Sequence, residues 1–327
     1  MRFLKNVFAF PFIFWIIKGQ MKTQNAFIKS FLAPILNRFE KLNDGSLYEI
    51  DFKKIKNYYG LGSVVLAGEA IAGMHNKKLS VKERKALTSV SAITGLYDDF
   101  FDLSSPDLLR IKDLSDLDKE VTNLNTHEAL FRTLLKIALD NIDDPKVSET
   151  YAEEVYKQQV ASLAQKRDIL SWEELFHVTM LKGGASMLLY RSTFNTEISE
   201  EEAEALFSIG GQLQVCNDIF DVAKDLKEDI NTIGTKAETI DQLRRLLLEL
   251  DTQNRLKIEA LKLPNTKYFN NRINFVTSQT YVALDFYEKA TKNTNGEFKP
   301  ETYDPKQITL AMNHPLNFLR AVIKYCS

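Results

Sequence analysis

The stretch Ser80–Asp102, SVKERKALTSVSAITGLYDDFFD, decides how the rest of this chain is read. Ser80-x-x-Glu83 has the form of a capping box, in which the serine hydroxyl and the Glu side chain satisfy each other's backbone N–H groups. An apolar-periodic run follows, so the spacing predicts a helix over 81–102. The helix closes on Asp98, Asp99 and Asp102, set between apolar residues that have the look of core. Asp98 and Asp102 share a helix face with Cβ atoms about 5–6 Å apart, and like charges there cost a few tenths of a kcal/mol. The neighbouring sequence supplies no Lys or Arg to offset them. Either the helix end is solvated, or a cation belongs between the carboxylates.

Outward from this segment the same grammar repeats. Ser171-x-x-Glu174 and Ser199-x-x-Glu202 are further capping boxes, and starts are expected near Thr126, Asp144-Pro145, Thr239 and Pro305. The predicted helices are 24–42, 51–74, 81–102, 127–141, 146–167, 172–195, 200–226, 240–262, 266–291 and 306–325, with Pro34 and Pro315 expected to kink or interrupt their segments. No run shows the alternation of a strand. Short connections imply antiparallel neighbours, so the expectation is an all-α chain forming a single large antiparallel helical bundle.

The totals fit a globular protein: 327 residues, 44% hydrophobic, 26% charged, net charge −2. Such a balance gives no reason to expect a nucleic-acid partner. Cys216 and Cys326, with four histidines for company, make neither a disulfide framework nor a zinc site, which points to a reducing, cytoplasmic setting. Residues 1–22 stand apart. Arg2 and Lys5 precede eleven apolar residues, Val7–Ile17, and Lys18 follows. That run is too short for a transmembrane helix, which needs about 20 residues, and no small-x-small cleavage site follows it. Three expectations stand: an interfacial anchor that lies against a membrane surface, an extension packed on the 23–327 body, or residues that precede a real start at Met21.

A second acidic cluster lies in GGQLQVCNDIFDVAKDLKED. Asn217, Asp221 and Asp225 fall at i, i+4 and i+8 on one helix face, with Asp218 beside them and Lys224 close by. Oxygen ligands without His or Cys suit a hard cation, Mg²⁺ before Zn²⁺. Mg²⁺ takes few carboxylates together with water and phosphate oxygens, so a phosphate ester is the implied third party.

Together the two clusters resemble those of the class I isoprenoid synthases, the all-α superfamily of prenyl diphosphate synthases and terpene cyclases. The first motif is Asp98-Asp99-Phe100-Phe101-Asp102. The second, Gln214-x-x-Asn217-Asp218-x-x-Asp221-x-x-Lys224-Asp225, resembles both QxxDDxxD, with Asn for the first Asp, and NDxxSxxxE, with Asp for Ser and Glu. KKIKNYYGLGSVVLAGEAIAG occupies the place of the basic prenyltransferase segment, and MLKGGASMLLYR is similar to its lysine stretch, with Lys182 in the lysine position. The likeness covers about residues 50–230.

The resemblance implies a bundle around a central apolar cavity, and three Mg²⁺ ions that neutralise a departing diphosphate. Asp98 and Asp102 would hold two ions, with Asn217, Asp221 and Asp225 on the third and Asp99 and Asp218 in support. Lys182, Lys224 and Arg191 would meet diphosphate oxygens; Lys54 and Lys56 would serve the basic segment. Tyr58, Tyr59, Tyr97 and Phe220 lie near the motifs as candidate walls for a carbocation. Gly183-Gly184 in mid-helix suggests a break that frees carbonyls, with close helix packing as the alternative, and that packing is the reading favoured for Gly210-Gly211. Glu174-x-x-His177 lacks the second ExxH that a di-iron bundle requires.

Three functions stay open. A terpene synthase ionises an allylic prenyl diphosphate and cyclises or quenches the cation. A trans-prenyl diphosphate synthase condenses it with isopentenyl diphosphate, which calls for an Arg pair after the first motif; here only Arg110 follows. A non-catalytic subunit would keep the fold for a partner synthase. The expected partner is a prenyl diphosphate, the expected state a monomer or homodimer, with peripheral membrane contact through residues 1–22.

Overall fold

The computed structural model describes residues 2–102, 105–167, 170–291, 297–311 and 314–326. Among them the chain is helical throughout, with no strand. It divides into two compact units. One comprises Met1–Phe14, Ala161–Leu188 and Ser199–Ser327, and the other Trp15–Val160 and Leu189–Ile198.

Helix α1 (Arg2–Ser30) runs without interruption across residue 22, so the expected boundary falls inside a helix. It carries Pro11 within it and stops ahead of Pro34. Pro34 has no N–H, and its ring would meet the carbonyl of Ser30, so the chain turns at Phe31 before α2 (Leu32–Lys41). Next come α3 (Glu49–Lys53), a π-helix (Lys54–Gly68) and α4 (Glu69–Met74), continuous within the predicted 51–74. The π winding coincides with Gly60, Gly62 and Gly68, which weaken any preference for α geometry.

α5 (Val81–Phe101) begins at Ser80 with both halves of its capping box formed. α6 (Leu108–Ser115), α7 (Thr126–Leu139) and α8 (Pro145–Ser162) complete most of this unit. α5 packs on the π-helix and on α7. A polar network is buried among them. Arg84 donates to Glu69 Oε1 at 2.6 Å and to Gln24 Oε1 at 2.8 Å; Gln24 in turn donates to the Gly60 carbonyl at 2.7 Å and to Thr88 at 3.0 Å. Every partner is satisfied, the condition under which a buried ion pair is tolerated.

The other unit is built from α9 (Ala164–Arg167), α10 (Trp172–Ser192, whose last turn, from Leu189, belongs with Trp15–Val160), α11 (Glu200–Phe220), α12 (Val222–Lys227), α13 (Ile233–Lys236), α14 (Ile240–Ala260), α15 (Thr266–Ala290) and α16 (Pro315–Cys326). Its core gathers Val215, Ile219, Leu243, Leu247, Leu284 and Tyr287, and the Tyr287 hydroxyl donates to the Ile219 carbonyl at 2.8 Å. The last predicted helix, 306–325, shrinks to α16. Pro305–Gln307 is a single 3₁₀ turn, and Pro315 stands at the helix start, where its missing N–H costs nothing. Met312 and Asn313 lie outside the described residues, as do Leu103 and Ser104 after the first acidic motif.

Candidate functional site

The first acidic motif forms the last turn of α5. Asp98 and Asp99 are half-buried, while Asp102 is exposed at the helix end. The buried Gln159 of α8 donates its Nε2 to Asp98 Oδ1. Asp99 carries the clearest electrostatic mark: burial first, then the Asp51 carboxylate, push its pKa up to about 6, against the pull of Lys54. Asp51 also caps α3 by accepting the Tyr48 N–H at 2.8 Å.

Read locally, the motif has no cation beside it. The fold supplies one, since Lys54 comes from the π-helix. Lys56 is exposed two residues further on. Two phenols also come close to Asp98. Tyr59 lies against Gly95 so tightly that a Cβ there would strike its ring, and Tyr190 meets Thr94 Oγ1 at 3.1 Å. Tyr97 instead joins a ring cluster, stacked on Phe131 at 5.6 Å and edge-on to Phe101 at 5.3 Å. Tyr58 points to solvent.

The second motif straddles the α11–α12 junction at Asp221. Helical hydrogen bonding persists through it, from Asp221 N–H to Asn217 O and from Asp225 N–H to Asp221 O, both at 2.8 Å, which preserves the predicted stripe. Asn217 Nδ2 donates to Asp221 Oδ2 at 3.3 Å. Asp218 points inward and accepts from Gln214 Nε2 and from Thr179 Oγ1, both at 2.9 Å. Burial pushes its pKa up to about 6, while those two donors and nearby Lys182 pull the other way. Asp225 is raised further, to about 7, by burial and by repulsion from Asp218 and Asp221; Thr232 Oγ1 donates to it at 3.1 Å. Lys224 is exposed, 3.7 Å from Glu228.

The glycines explain how Lys182 and Thr179 reach this cluster. α10 is unbroken through Gly183-Gly184, which corrects the expected helix break. A Cβ on Gly183 would strike the Gly210 carbonyl, one on Gly210 the Gly183 carbonyl, and one on Gly184 the Phe207 ring. Both glycine pairs therefore serve one close crossing of α10 on α11, which offsets their low helix propensity.

Arg191 lies at the other end of α10 from this cluster. It is 1% exposed, and its guanidinium donates to the carbonyls of Thr196 at 3.0 Å and Glu197 at 2.9 Å, closing the loop after α10. Arg110 is likewise committed, in a two-pronged pair with Glu128 at 2.8 Å for each bond. Glu174 caps α10 through the Ser171 N–H, and His177 is exposed. Asp51, Gln159, Thr179 and Tyr190 carried no signal in the sequence, because each reaches its cluster only through tertiary packing.

Among the described residues, no three His, Cys, Asp or Glu side chains stand close enough together to enclose a metal ion. The donors are hard oxygens, few at each cluster, and their burial, then the neighbouring carboxylates, raise their protonation. That chemistry fits Mg²⁺ bound through one or two carboxylates with water and phosphate completing the shell, and does not fit a closed protein cage. Compared with known proteins, the chain matches no family model and no curated protein. What fold and clusters define is an all-α protein with two acidic helix ends, each with a lysine beside it.

Proposed function

We propose that this chain is a Mg²⁺-dependent class I terpene synthase. It would ionise an allylic prenyl diphosphate to a carbocation that is cyclised or quenched, with release of diphosphate. One observation carries the reading. In each compact unit a long helix ends among carboxylates whose burial raises their protonation, half-buried Asp99 in one and buried Asp218 and Asp225 in the other, and a neighbouring helix supplies a lysine, Lys54 or Lys182. Crowded carboxylates of this kind are costly without a cation.

Asp98 and Asp102 would hold metal at the first cluster, and Asn217, Asp221 and Asp225 at the second. When bound, Mg²⁺ neutralises the charge that grows on the leaving diphosphate. Lys182 and Lys224 bind diphosphate oxygens. Gln159 orients Asp98, while Thr179 and Gln214 hold Asp218 against α10. Tyr59 and Tyr190 offer π faces to positive charge without adding an anion.

A condensing prenyl diphosphate synthase is the second reading, favoured by Lys54 beside Asp99. Against it stands Arg110, the one arginine that closely follows the first motif, which is spent on Glu128. Purified protein incubated with Mg²⁺ and allylic diphosphates of ten, fifteen, twenty and more carbons, with and without isopentenyl diphosphate, separates the two by mass spectrometry. Hydrocarbon or alcohol released without isopentenyl diphosphate is the expected result. Elongated diphosphates formed only with it would establish the second reading, and no product under either condition would exclude both.

A further inference from the structure

Helix α1 contains Arg2, Lys5, Lys18, Lys22 and Lys29 and no Asp or Glu, in a chain whose net charge is −2. Helix α16, PLNFLRAVIKYC, repeats the pattern with Arg320 and Lys324. The two adjoin through aromatic rings: Phe10 lies 5.6 Å from Tyr325 and 6.4 Å from Phe318, and Phe14 meets Phe318 edge-on at 5.9 Å. Those contacts use one side of each helix.

The other sides are apolar and open. Phe12 and Trp15, one turn apart on α1, are 68% and 66% exposed. Along α16, Leu316, Leu319 and Ile323 are 58%, 54% and 55% exposed at i, i+3 and i+7, one helix face. Lys18 Nζ sits 5.2 Å over the Trp15 ring, an indole capped by a cation as at a membrane–water interface. Beside the α16 stripe, a cleft of about 270 Å³ is lined by Lys289, Arg320 and Lys324. Its one carboxylate, Asp285, is paired with Lys324 at 2.7 Å and with Arg244 at 2.9 Å, which also pairs with Glu288 at 2.9 Å, so Lys289 and Arg320 are the cations that the cleft presents.

We propose that α16 and the start of α1 packed on it form a membrane-binding surface for bilayers containing anionic phospholipid. Phe12 and the α16 leucines enter the headgroup boundary, Trp15 follows Phe12 one turn along the same helix, and Lys289 and Arg320 meet lipid phosphates. Charge complementarity selects this occupant. Both helices carry only cations, so the same face on a second copy would repel it, whereas an anionic bilayer attracts it. Among the described residues no helix is long and apolar enough to cross a membrane, and the proposed contact is with its surface. Two apolar stripes and a basic field together supply the two signals that stable peripheral binding requires.

The test is flotation of the full chain with vesicles of phosphatidylcholine alone and of phosphatidylcholine with phosphatidylserine. The chain should float with the anionic vesicles, less so as salt rises, and hardly with the neutral ones. F12S/W15S and L316S/L319S, all at exposed positions, should each lower the bound fraction at least roughly ten-fold with unchanged circular dichroism. W172F leaves Trp15 as the sole indole, and its emission should shift to the blue on addition of anionic vesicles. Wild-type chain that stays unbound, or apolar variants that float as well as wild type, would overturn the proposal. A dimer that F12S/W15S dissociates, without vesicle binding, would give the surface to a second copy and likewise overturn it. Turnover of soluble prenyl diphosphates without vesicles should not change in these variants, so this proposal and the synthase reading fail separately.

Discussion

Asp225 shows what the acidic clusters cost a single residue. Its pKa rises from the ordinary 3.8 to about 7, mainly through burial, then through Asp218 and Asp221. Between those two values the folded chain holds a proton that the unfolded chain has released. Stability without metal is therefore full below about pH 4 and is lost as pH climbs through 7, a loss on the order of a few kcal/mol. Asp225→Asn keeps an acceptor for Thr232 but cannot ionise. Thermal unfolding in chelator should find it about 1–3 kcal/mol more stable than wild type near pH 8 and little changed near pH 4; an equal effect at both would remove burial as the cause. Arg110 gives the opposite case. Arg110→Ala strands Glu128, whose side chain is 11% exposed, and should cost about 1–3 kcal/mol in urea unfolding. If the chain ionises without condensing, turnover per folded molecule should survive that change. The motif residues themselves were legible in the sequence, because like charges on an apolar helix need a reason. Asp51 and Gln159 were not, since no local pattern announces which distant side chain will face a carboxylate; Lys54 was legible as part of the basic segment but not as the cation beside Asp99.

At the level of elements, capping chemistry made the starts of α5, α7, α10, α11 and α14 readable from sequence, while breaks inside helices were harder. The chain stops at Phe31 and restarts at Pro315 for proline's reasons, yet it runs straight through Gly183-Gly184. Glycine in a helix states only that a side chain is missing, and the structure uses that gap for the backbone of α11. Gly183→Ala should therefore cost about 2–4 kcal/mol, since the new methyl meets the Gly210 carbonyl and Gln214 Cβ, neither of which is the far end of a flexible chain. Gly19→Ala is the internal contrast. No atom lies within 4 Å of a Cβ placed there, so helix propensity alone acts, and it should stabilise by up to about 1 kcal/mol. Denaturant titrations of the two variants should shift in opposite directions. If Gly183→Ala proves neutral, α10 and α11 are not held together by backbone approach, and Lys182 and Thr179 owe their place beside Asp218 to something else.

For the molecule as a whole, periodicity and caps established the all-α class, and the division into two compact units did not show in composition, because both units share one helical grammar and no linker separates them. The acidic clusters belong to different units, Asp98 to one and Asp221 to the other. That membership makes a functional test sharp. A synthase needs metal at both motifs for one ionisation, so Asp98→Ala and Asp221→Ala should each reduce Mg²⁺-dependent product release by about 10² or more, on the scale seen when a group that stabilises growing charge is removed. Residues that act in one step are not additive, so the double variant should be little worse than either single one. Both positions are half-buried and at helix ends, and circular dichroism and urea midpoints should stay close to wild type. Losses that multiply in the double variant would mean two independent roles. A folded Asp98→Ala chain with full turnover would take the first motif out of the chemistry altogether, and its acidity would then belong to a solvated helix end.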